Sequence, residues 1–492
     1  MSASKENRVL IINTGGTIAM VHEDNNPLNP LKPGKWDEIT KNYPVLKQLK
    51  EKNIETDIHT FDPLLDSSNI SHENWKQMAE VISSNYDQFT GFVILHGTDT
   101  MCYTASALSF MLEHLSKPVI LTGSQLPLAV PRSDALENFV TALSIAAGVD
   151  VNDGSTIPLV PEVCIYFRGK LLRGNRARKL SSSAYSGFES PNYPPLGTVG
   201  EHIELDTRLI RTPGPEQLFA NTEFVTQVMA LDIFPSLDPE IVVRVATESA
   251  SGKKIRALIL KTYGTGNAPS NEDFLRAIEQ IVNAGLLVVD VTQCPQGMVE
   301  IGQYEASVPL LERGVISGLD MTPESALCKL MWLLGMGWDL DQVRKQMQLD
   351  QRGEQSLNIF EIDYGPGSAS PVFSSQQVIP GEVEFEKLEV AILRLQGTSL
   401  LTEDKGDRRL SLRVYVNYQN LQESSGTEII QYAGTCEKTI ETTGQKASLF
   451  LDVTSSVRKF FTKGKPGRIG LVTNGSSGAE WEKLNLALYV KA

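Results

Sequence analysis

Short apolar runs that end in Gly-, Thr- and Ser-rich segments recur along the first part of the chain. Residues 9–12 (VLII) lead into NTGGT, residues 92–95 (FVIL) into HGTDT, and residues 118–121 (PVIL) into TGSQ. Uninterrupted apolar runs of this kind are typical of strands buried on both faces, as in a parallel sheet. We therefore predict a β-strand at each run and a polar loop directly after it.

Helical periodicity separates these strands. After Asp99, residues recur at spacings of three and four on one predominantly apolar face: Met101, Thr104, Ala105, Leu108, Met111, Leu112 and Leu115. Such spacing marks an amphipathic helix. The order strand, loop, helix, strand is the βαβ pattern of an open α/β sheet. It resumes further along, with strands at 257–260 and 285–291, a helix at 271–284, and another helix that opens at Thr322 and Pro323.

The pattern changes beyond about Gly353, where helical periodicity gives way to alternation. Leu412, Val414 and Val416 alternate with polar or aromatic neighbours, and residues 449–454 alternate in the same way. Period-two alternation between Gly-, Asn- and Ser-rich breaks favours an antiparallel β-sandwich. The last part of the chain is therefore predicted to be all-β.

These patterns predict two open parallel-sheet α/β domains followed by an all-β, sandwich-like domain. Segments rich in Pro, Gly and polar residues suggest the connections. The predicted boundaries are 1–195 for the first α/β domain, 196–222 for a linker, 223–353 for the second α/β domain, 354–385 for a second linker and 386–492 for the β-domain. A binding module and a packing domain that stabilises an oligomer both remain open for that last domain.

Composition narrows the class of protein and of partner. The chain has 492 residues, of which 41% are apolar and 21% charged, as in globular proteins. A formal net charge of -14 argues against electrostatic capture of nucleic acid or of an anionic membrane. The five cysteines are scattered without a CxxC pair, so neither a disulfide framework nor a zinc site is indicated. No signal-like or membrane-length apolar segment is present, and we expect a cytoplasmic protein.

Three polar loops carry the candidate chemistry: residues 14–17 (TGGT), 96–100 (HGTDT) and 122–125 (TGSQ). In an open parallel sheet, ligands bind beyond the carboxyl ends of the strands, where such loops meet. Glycines let backbone N–H groups approach a substrate, threonines offer hydroxyls, and Asp99 offers a carboxylate. The GxGxxG and GK[ST] spacings are absent from these loops, which argues against a phosphate cradle.

A hydroxyl nucleophile needs a partner that takes its proton. Lys179, in RGNRARK, is the candidate, because a lysine beside a carboxylate can do this where burial lowers its pKa. Two plainer interpretations remain open. A lysine in a basic run usually lies on a solvated face, and the threonines would otherwise cap helices that follow strands. Those threonines are Thr14, Thr17, Thr98 and Thr100.

Three further side chains are expected to be structural. His96 directly follows a buried strand and is interpreted as a core histidine rather than an acid–base group. Cys102 and Cys294 are interpreted as small buried fillers.

Longer stretches around these loops resemble one family. IINTGGTIAM, GFVILHGTDTMCYTASALSFMLEHLSKPVILTGSQLPL and LLRGNRARK closely resemble the L-asparaginases of the bacterial type, nearest the cytoplasmic type I branch. DPLLDSSNIS, SPNYPPLG, KTYGTGNAPSN and VTQCPQG are similar to that branch as well. The resemblance covers residues 7–352 and implies hydrolysis of L-asparagine to L-aspartate and ammonia, with a glutaminase side activity left open.

The resemblance also implies site residues. Thr14 matches the primary nucleophile, and Thr98, Asp99 and Lys179 match a second catalytic set. For substrate binding it implies Ser67, Ser68, Asp99, Gly97 and Asn267. Ser67 and Ser68 match the loop that holds the α-amino and α-carboxylate groups, and Asn267 matches a residue that approaches the pocket. No metal or organic cofactor is implied, and a homodimer or homotetramer is expected.

One departure concerns the first of these residues. In the family, a flexible loop after TGGTI carries a tyrosine that supports the nucleophile, whereas residues 21–34 (VHEDNNPLNPLKPG) contain none. The first tyrosine is Tyr43. This departure concerns the activation of Thr14 rather than the class of reaction. A catalytically weak binding or sensory protein and an ammonia-donating amidohydrolase subunit are the alternative functions.

Overall fold

The computed structural model describes residues 7–22, 31–33, 49–247, 254–300, 307–369, 372–400, 409–416, 431–439, 446–473 and 479–492. The chain divides into two compact units. Residues 1–301, 313–347 and 351–354 form the first unit, and residues 302–312, 348–350 and 355–492 form the second. None of the helices in the described ranges has the length and apolar character that crossing a membrane requires.

Strands and helices alternate along much of the first unit, whereas strands dominate the second. The strands of the first unit are β1 (Asn7–Gly15), β2 (Met20–His22), β3 (Leu31–Pro33), β4 (Ile54–Leu65), β5 (Gly91–Leu95), β6 (Leu112–Glu113), β7 (Val119–Thr122), β8 (Val163–Phe167), β9 (Lys170–Arg173), β10 (Arg178–Lys179), β11 (Phe188–Glu189), β12 (Gly197–Val199), β13 (Ile203–Leu205), β14 (Phe219–Ala220), β15 (Val228–Asp232), β16 (Ala257–Thr262), β17 (Leu287–Thr292) and β18 (Ile316–Ser317). The helices of the chain are α1 (His72–Asn85), α2 (Met101–Met111), α3 (Ala135–Ala147), α4 (Pro239–Thr247), α5 (Glu272–Asn283), α6 (Val308–Glu312), α7 (Pro323–Gly335), α8 (Leu340–Met347) and α9 (Thr454–Phe460). The strands of the second unit are β19 (Leu357–Ala369), β20 (Val372–Val378), β21 (Leu388–Leu400), β22 (Arg409–Val416), β23 (Gln431–Thr439), β24 (Ala447–Asp452), β25 (Pro466–Thr473) and β26 (Ala479–Lys491).

The first sheet has the strand order β13-β12-β9-β8-β7-β5-β1-β4. Its strands from β4 to β8 pair in parallel, and β9, β12 and β13 add antiparallel pairs at one side. Along β1, Val9 and Ile11 join the hydrophobic cluster on one face, and Leu10 and Ile12 join the cluster on the other. Both faces of the sheet are therefore buried, and the α/β architecture predicted from the apolar runs is confirmed.

A second parallel sheet, β15-β16-β17-β18, continues the same unit. The helix α7 begins as its sequence predicts. Thr322 Oγ1 accepts a hydrogen bond of 3.1 Å from the backbone N–H of Ser325, and Pro323 occupies the first turn, where its missing N–H has no cost.

The helix α2 differs from its prediction. It ends at Met111, so Leu112 lies in β6, and it is buried nearly all round rather than along one face. The reason is that α7 packs against it as well, with the rings of Phe110 and Trp332 stacked at 5.6 Å between centroids. Ten of its side chains are buried, which a helix facing one sheet alone would not achieve.

Both predicted linkers contain strands. Segment 196–222 contributes β12 and β13 to the edge of the first sheet, and segment 354–385 contains β19 and β20. Short edge strands tolerate the Pro and Gly content that suggested a connection. In β19 the register shifts around Gly365, which interrupts the alternation that would have marked it as a strand.

The second unit consists mainly of two antiparallel four-stranded sheets, β19-β26-β21-β24 and β20-β25-β22-β23. Side chains from both sheets share one hydrophobic cluster, with Leu393 and Leu395 of β21 opposite Leu412 and Val414 of β22. The alternation along β22 predicts this arrangement, because Arg413 is exposed between its buried neighbours. The all-β, sandwich-like fold is confirmed.

Candidate active site

The loops after β1, β4 and β5 meet at the carboxyl edge of the first sheet, and glycines make that contact close. A Cβ on Gly15 would lie 2.4 Å from the carbonyl oxygen of Leu65, and one on Gly16 would lie 2.5 Å from the backbone nitrogen of Gly97. Both Gly15 and Gly16 also have positive φ, at 117° and 84°. Any side chain at these two positions would separate the loops, so TGGT requires its two glycines.

Thr14 sits at the end of β1 and is 1% exposed. Its hydroxyl donates to the backbone carbonyl of Leu95 on β5, with 2.8 Å between the oxygens. The hydroxyl therefore does not cap a helix. It is held where the adjacent parallel strands β1 and β5 end, and a ligand beyond their carboxyl ends would meet it there.

Lys179 is brought to the HGTDT loop by the short strand β10. Its Nζ lies 2.8 Å from Thr98 Oγ1 and 2.6 Å from Asp99 Oδ1. The Lys179 side chain is 17% exposed and that of Asp99 is 67% exposed. The lysine is therefore largely covered, and the carboxylate lies at the solvent-exposed edge of the site. A lysine that simply points into solvent does not fit this geometry. A hydroxyl, an amine and a carboxylate within hydrogen-bond reach can exchange a proton.

Two arginines that precede Lys179 anchor its strand. Arg176 Nη2 lies 2.9 Å from Asp320 Oδ2 in a buried pair, and Arg178 Nε lies 3.4 Å from Glu324 Oε2. Both carboxylates come from the second α/β region, where Asp320 precedes α7 and Glu324 lies in its first turn. The basic run is thus a series of ion pairs that fix the path of the backbone leading to Lys179.

The proposed substrate loop is a 3₁₀ turn, Ser67–Asn69. Asp66 shapes it, because its Oδ1 accepts from the N–H and from the hydroxyl of Ser68, both at 2.9 Å. Ser67 is buried and Ser68 is exposed. Ser67 also touches the HGTDT loop, since a Cβ on Gly97 would lie 2.5 Å from Ser67 Oγ.

His96 is fully buried and hydrogen-bonded at both ring nitrogens. Nδ1 lies 2.6 Å from the Gly97 carbonyl and Nε2 lies 2.8 Å from Thr104 Oγ1, which also accepts from Trp75 Nε1 at 3.0 Å. Burial lowers the pKa of His96 to about 4, against the smaller opposing effect of the Gly97 carbonyl. The ring is neutral at physiological pH and supports the loop, as the sequence predicts.

The predictions for Asn267 and Cys294 have different outcomes. Asn267 lies on the loop after β16 in the second sheet, where its backbone pairs with Tyr263 at 2.8 and 2.9 Å. Its described contacts are therefore not with Thr14, Thr98 or Lys179, and its role stays a prediction.

Cys294 is exposed, so its interpretation as a buried filler is wrong, whereas Cys102 is buried. The chain continues past Thr292 into a loop that leaves Cys294 outside the core.

Sequence reasoning missed Asp134, which builds the TGSQ loop. The buried Asp134 carboxylate accepts from the backbone N–H groups of Gln125 and Leu126 at 3.1 and 3.2 Å, and from Asn138 Nδ2 at 3.2 Å. Asn138 in turn donates to the Gly123 carbonyl at 2.9 Å. An acidic residue directly before the helix α3 was the available signal.

Most of residues 21–34, where the family's loop tyrosine is missing, falls outside the described residues, so its consequence stays a prediction. Within the described ranges, no group of three or more His, Cys, Asp or Glu side chains is arranged to hold a metal ion.

Comparison with known proteins agrees with this geometry. Residues 8–211 match the family model "Asparaginase, N-terminal", and residues 227–347 match "Glutaminase/Asparaginase C-terminal domain". The chain is 43% identical to L-asparaginase 1 of Escherichia coli K12 over 300 residues, which is 60% of this chain and 84% of that protein. The crystal structure of L-asparaginase I from Vibrio cholerae is 38% identical, with a TM-score of 0.63 over 71% of this chain and 99% of that one. The L-asparaginase of Thermococcus kodakarensis is 32% identical, with a TM-score of 0.62 over the same shares.

Proposed function

The chain belongs to the asparaginase family, and from that premise we propose that it hydrolyses the side-chain amide of L-asparagine to L-aspartate and ammonia. The observation that carries the proposal is the contact of Lys179 Nζ with Thr98 Oγ1 and Asp99 Oδ1, at 2.8 and 2.6 Å. This group lies on the loop that abuts Gly16, two residues after the proposed nucleophile Thr14. A hydroxyl nucleophile on one loop and a hydroxyl in contact with a lysine on the adjoining loop are what a two-step amide hydrolysis needs.

In the first step, Thr14 Oγ attacks the amide carbon of the substrate. The Oγ–C bond forms, the C–N bond breaks, and the hydroxyl proton ends on the leaving nitrogen, so that ammonia departs and a β-aspartyl ester remains. Backbone N–H groups of the glycine-rich loops stabilise the oxyanion. The Thr14 hydroxyl first has to leave the Leu95 carbonyl, to which it donates in the resting structure.

In the second step, water hydrolyses the ester. Thr98 and Lys179, 2.8 Å apart, relay the proton that the water loses as it adds to the ester carbon. The C–Oγ bond breaks and a proton returns to Thr14, which restores the enzyme. Asp99 stabilises positive charge on Lys179 through the 2.6 Å contact. The reaction balances as amide plus water giving carboxylate and ammonium.

For substrate binding we propose the Ser67–Asn69 turn together with Gly97 and Asp99. Ser67 and Ser68 supply hydroxyls to the α-carboxylate, and the exposed Asp99 carboxylate faces the α-ammonium. Asn267 is proposed to approach the pocket from the second sheet. One methylene between asparagine and glutamine is worth about 1–3 kcal/mol, so glutamine is a weaker substrate rather than an excluded one.

The setting of the enzyme is also a proposal. By analogy with its relatives, we propose a cytoplasmic homodimer or homotetramer. We also propose the predicted division into two α/β domains and a β-domain, with the strands of segments 196–222 and 354–385 assigned to the adjoining domains rather than to linkers. An inert binding protein is not favoured, because Thr14, Thr98, Asp99 and Lys179 are all present and three of them are in contact. An ammonia-donating subunit that serves a tRNA-bound substrate is not favoured, because the net charge of -14 argues against nucleic-acid binding.

The test is ammonia release by the purified full-length protein, with L-asparagine and L-glutamine compared across substrate concentration. We expect rapid release from asparagine and slower release from glutamine. A folded protein that releases ammonia from neither amide contradicts the proposal.

A further inference from the structure

Thr100 is the N-cap residue of α2, yet its hydroxyl makes no capping bond. Oγ1 instead donates to the backbone carbonyl of Ser67, with 2.7 Å between the oxygens and 33 residues between them in sequence. A threonine at an N-cap ordinarily accepts from the N–H of the second or third helical residue. Departures from such a local rule concentrate at functional sites, so the bond to Ser67 calls for an explanation.

The Ser67 carbonyl accepts two hydrogen bonds, one of 2.7 Å from Thr100 Oγ1 and one of 3.2 Å from the backbone N–H of Ile70. Ser67 is 3% exposed, and a Cβ on Gly97 would lie 2.7 Å from the Ser67 Cβ, so the two loops are already in backbone contact. Without the Thr100 bond, the remaining donor to this carbonyl is the Ile70 N–H, which belongs to the turn's own segment and does not link the turn to the HGTDT loop. Removing the Thr100 hydroxyl therefore favours a shift of the turn away from the HGTDT loop.

Within the turn, Asp66 sets the shape, through its bonds to the N–H and the hydroxyl of Ser68. These bonds are local and do not relate the turn to Thr98 or Asp99. The Thr100 bond does so directly, because Thr100 follows Asp99 in the chain. Shape and placement of the turn thus depend on different side chains.

We propose that Thr100 is a positioning residue for the amide hydrolysis, which holds the Ser67–Asn69 turn at a fixed distance from Thr98 and Asp99. The inference rests on the proposed function, since it takes the turn to bind the α-groups of the substrate. Thr100 acts through Ser67. It helps bind the ground state and the transition state alike, so its loss raises KM and leaves kcat nearly unchanged.

Thr100→Val tests this, because valine keeps the shape of threonine and removes the hydroxyl. We expect KM for L-asparagine to rise about tenfold with kcat within about twofold of wild type, and Thr100→Ser to restore the wild-type KM. Thr90→Val is the matched control. Thr90 Oγ1 makes the same kind of half-buried bond, 2.8 Å to the Arg8 carbonyl, at the opposite end of β5. It should lower thermal stability to a similar degree and leave KM unchanged.

Three results would overturn the inference: an unchanged KM in Thr100→Val, an equal rise of KM in Thr90→Val, or failure of Thr100→Ser to restore it. If Thr100→Val does not fold, Thr100→Ala removes the same hydroxyl and carries the same expectation. Calorimetric binding of L-aspartate to each variant separates this inference from the proposed function. A wild-type protein that binds L-aspartate but releases no ammonia contradicts the reaction, and the shift in Kd for Thr100→Val still decides the role of Thr100.

Discussion

Lys179 Nζ lies 2.8 Å from Thr98 Oγ1, although 81 residues separate the two in sequence. The contact joins the two-residue strand β10 to the loop after β5. Asp99, on the same loop, also contacts the Lys179 amine. Arg176 and Arg178 fix the backbone on the approach to this lysine through carboxylates of the second α/β region. The proposed proton relay therefore depends on contacts between the segment leading to β10 and the start of α7.

Replacing the lysine should stop the chemistry without unfolding the protein. Lys179→Met keeps most of the aliphatic length and removes the amine, and we expect kcat for ammonia release to fall by about 10²–10⁴-fold, the range for a lost acid–base group. Steady-state ammonia release with L-asparagine is the measurement.

The control for that variant is Lys170→Met. Lys170 Nζ also pairs with a carboxylate, Glu189 Oε1 at 2.6 Å, and its side chain is 37% exposed on β9. It should leave kcat unchanged, because this pair does not touch the HGTDT loop. Equal losses in the two variants would point to lost charge in general and would contradict a proton relay through Lys179.

The fully buried pair of Lys329 and Glu354 should be a major determinant of stability. Their charged atoms are 2.6 Å apart and neither side chain is exposed. Glu354→Gln leaves the ammonium without its counter-charge, and we expect a loss of about 3–5 kcal/mol in the free energy of unfolding. Urea denaturation is the measurement. The exposed pair of Arg244 and Glu240 is the control, and Glu240→Gln should cost less than about 0.5 kcal/mol.

The pair of Lys329 and Glu354 should also make the stability of the protein depend on pH in the acidic range. Burial alone would raise the pKa of Glu354, but the Lys329 ammonium and nearby backbone N–H groups hold it well below its usual range. Because the folded pKa lies below the value of about 4.3 in an unfolded chain, the contribution to stability is complete above that value and is lost as the pH falls below it. Wild-type protein should lose stability between pH 4.5 and pH 3 more steeply than Glu354→Gln. Equal slopes would contradict the ionised pair.

The sequence predicts the features that local interactions determine, but not those that depend on contacts between residues far apart in the chain. The apolar run at 9–12 and the polar loop after it are local signals, and the strand and the loop are where they predict. The partners of Arg176 and Arg178 lie more than 140 residues away, so nothing near Lys179 distinguishes an anchored lysine from a solvated one. Residue chemistry made Lys179 a candidate, and the family resemblance selected it over a solvated lysine.

For Thr100, the local sequence predicts the position of the residue but not the partner of its hydroxyl. Its position before a helix predicts a cap, and the backbone does place it at the N-cap. Tertiary contact then redirects the hydroxyl to Ser67, a choice that depends on how closely Gly97 approaches that residue. Local propensity predicts the site of the residue, and packing between loops decides what its side chain binds.

Asp290 should make the protein less stable as the pH rises toward the alkaline range. Its carboxyl is fully buried on β17 with Thr262 Oγ1 at 2.7 Å, and burial raises its pKa to about 8, against the smaller effect of that hydroxyl. Between about pH 4 and pH 8 the unfolded chain ionises this group while the folded protein keeps it protonated, so stability falls with rising pH. Asp290→Asn removes the effect.

The gain in unfolding free energy from Asp290→Asn should be larger at pH 8 than at pH 5, measured by urea denaturation at both. Asp87→Asn, at an exposed position, is the control and should alter stability equally at the two pH values. A gain from Asp290→Asn that is independent of pH, or a loss at pH 8, would show that Asp290 is ionised in the folded protein.

Two glycines with the same backbone angle separate strain from contact at the active site. Gly16 has φ 84° and Gly285 has φ 85°, but a Cβ on Gly16 would lie 2.5 Å from the Gly97 nitrogen, whereas one on Gly285 meets nothing within 4 Å. Alanine at either position bears the cost of a positive φ, about 1–3 kcal/mol, and at Gly16 the ψ of 172° adds a conformation that glycine alone adopts readily. Only at Gly16 must the HGTDT loop also move.

We expect both variants to lose thermal stability, Gly16→Ala more than Gly285→Ala, and only Gly16→Ala to lose most of its ammonia release. If Gly285→Ala lost as much activity as Gly16→Ala, strain alone would explain the effect, and close contact between the loops of Thr14 and Thr98 would not be needed for catalysis.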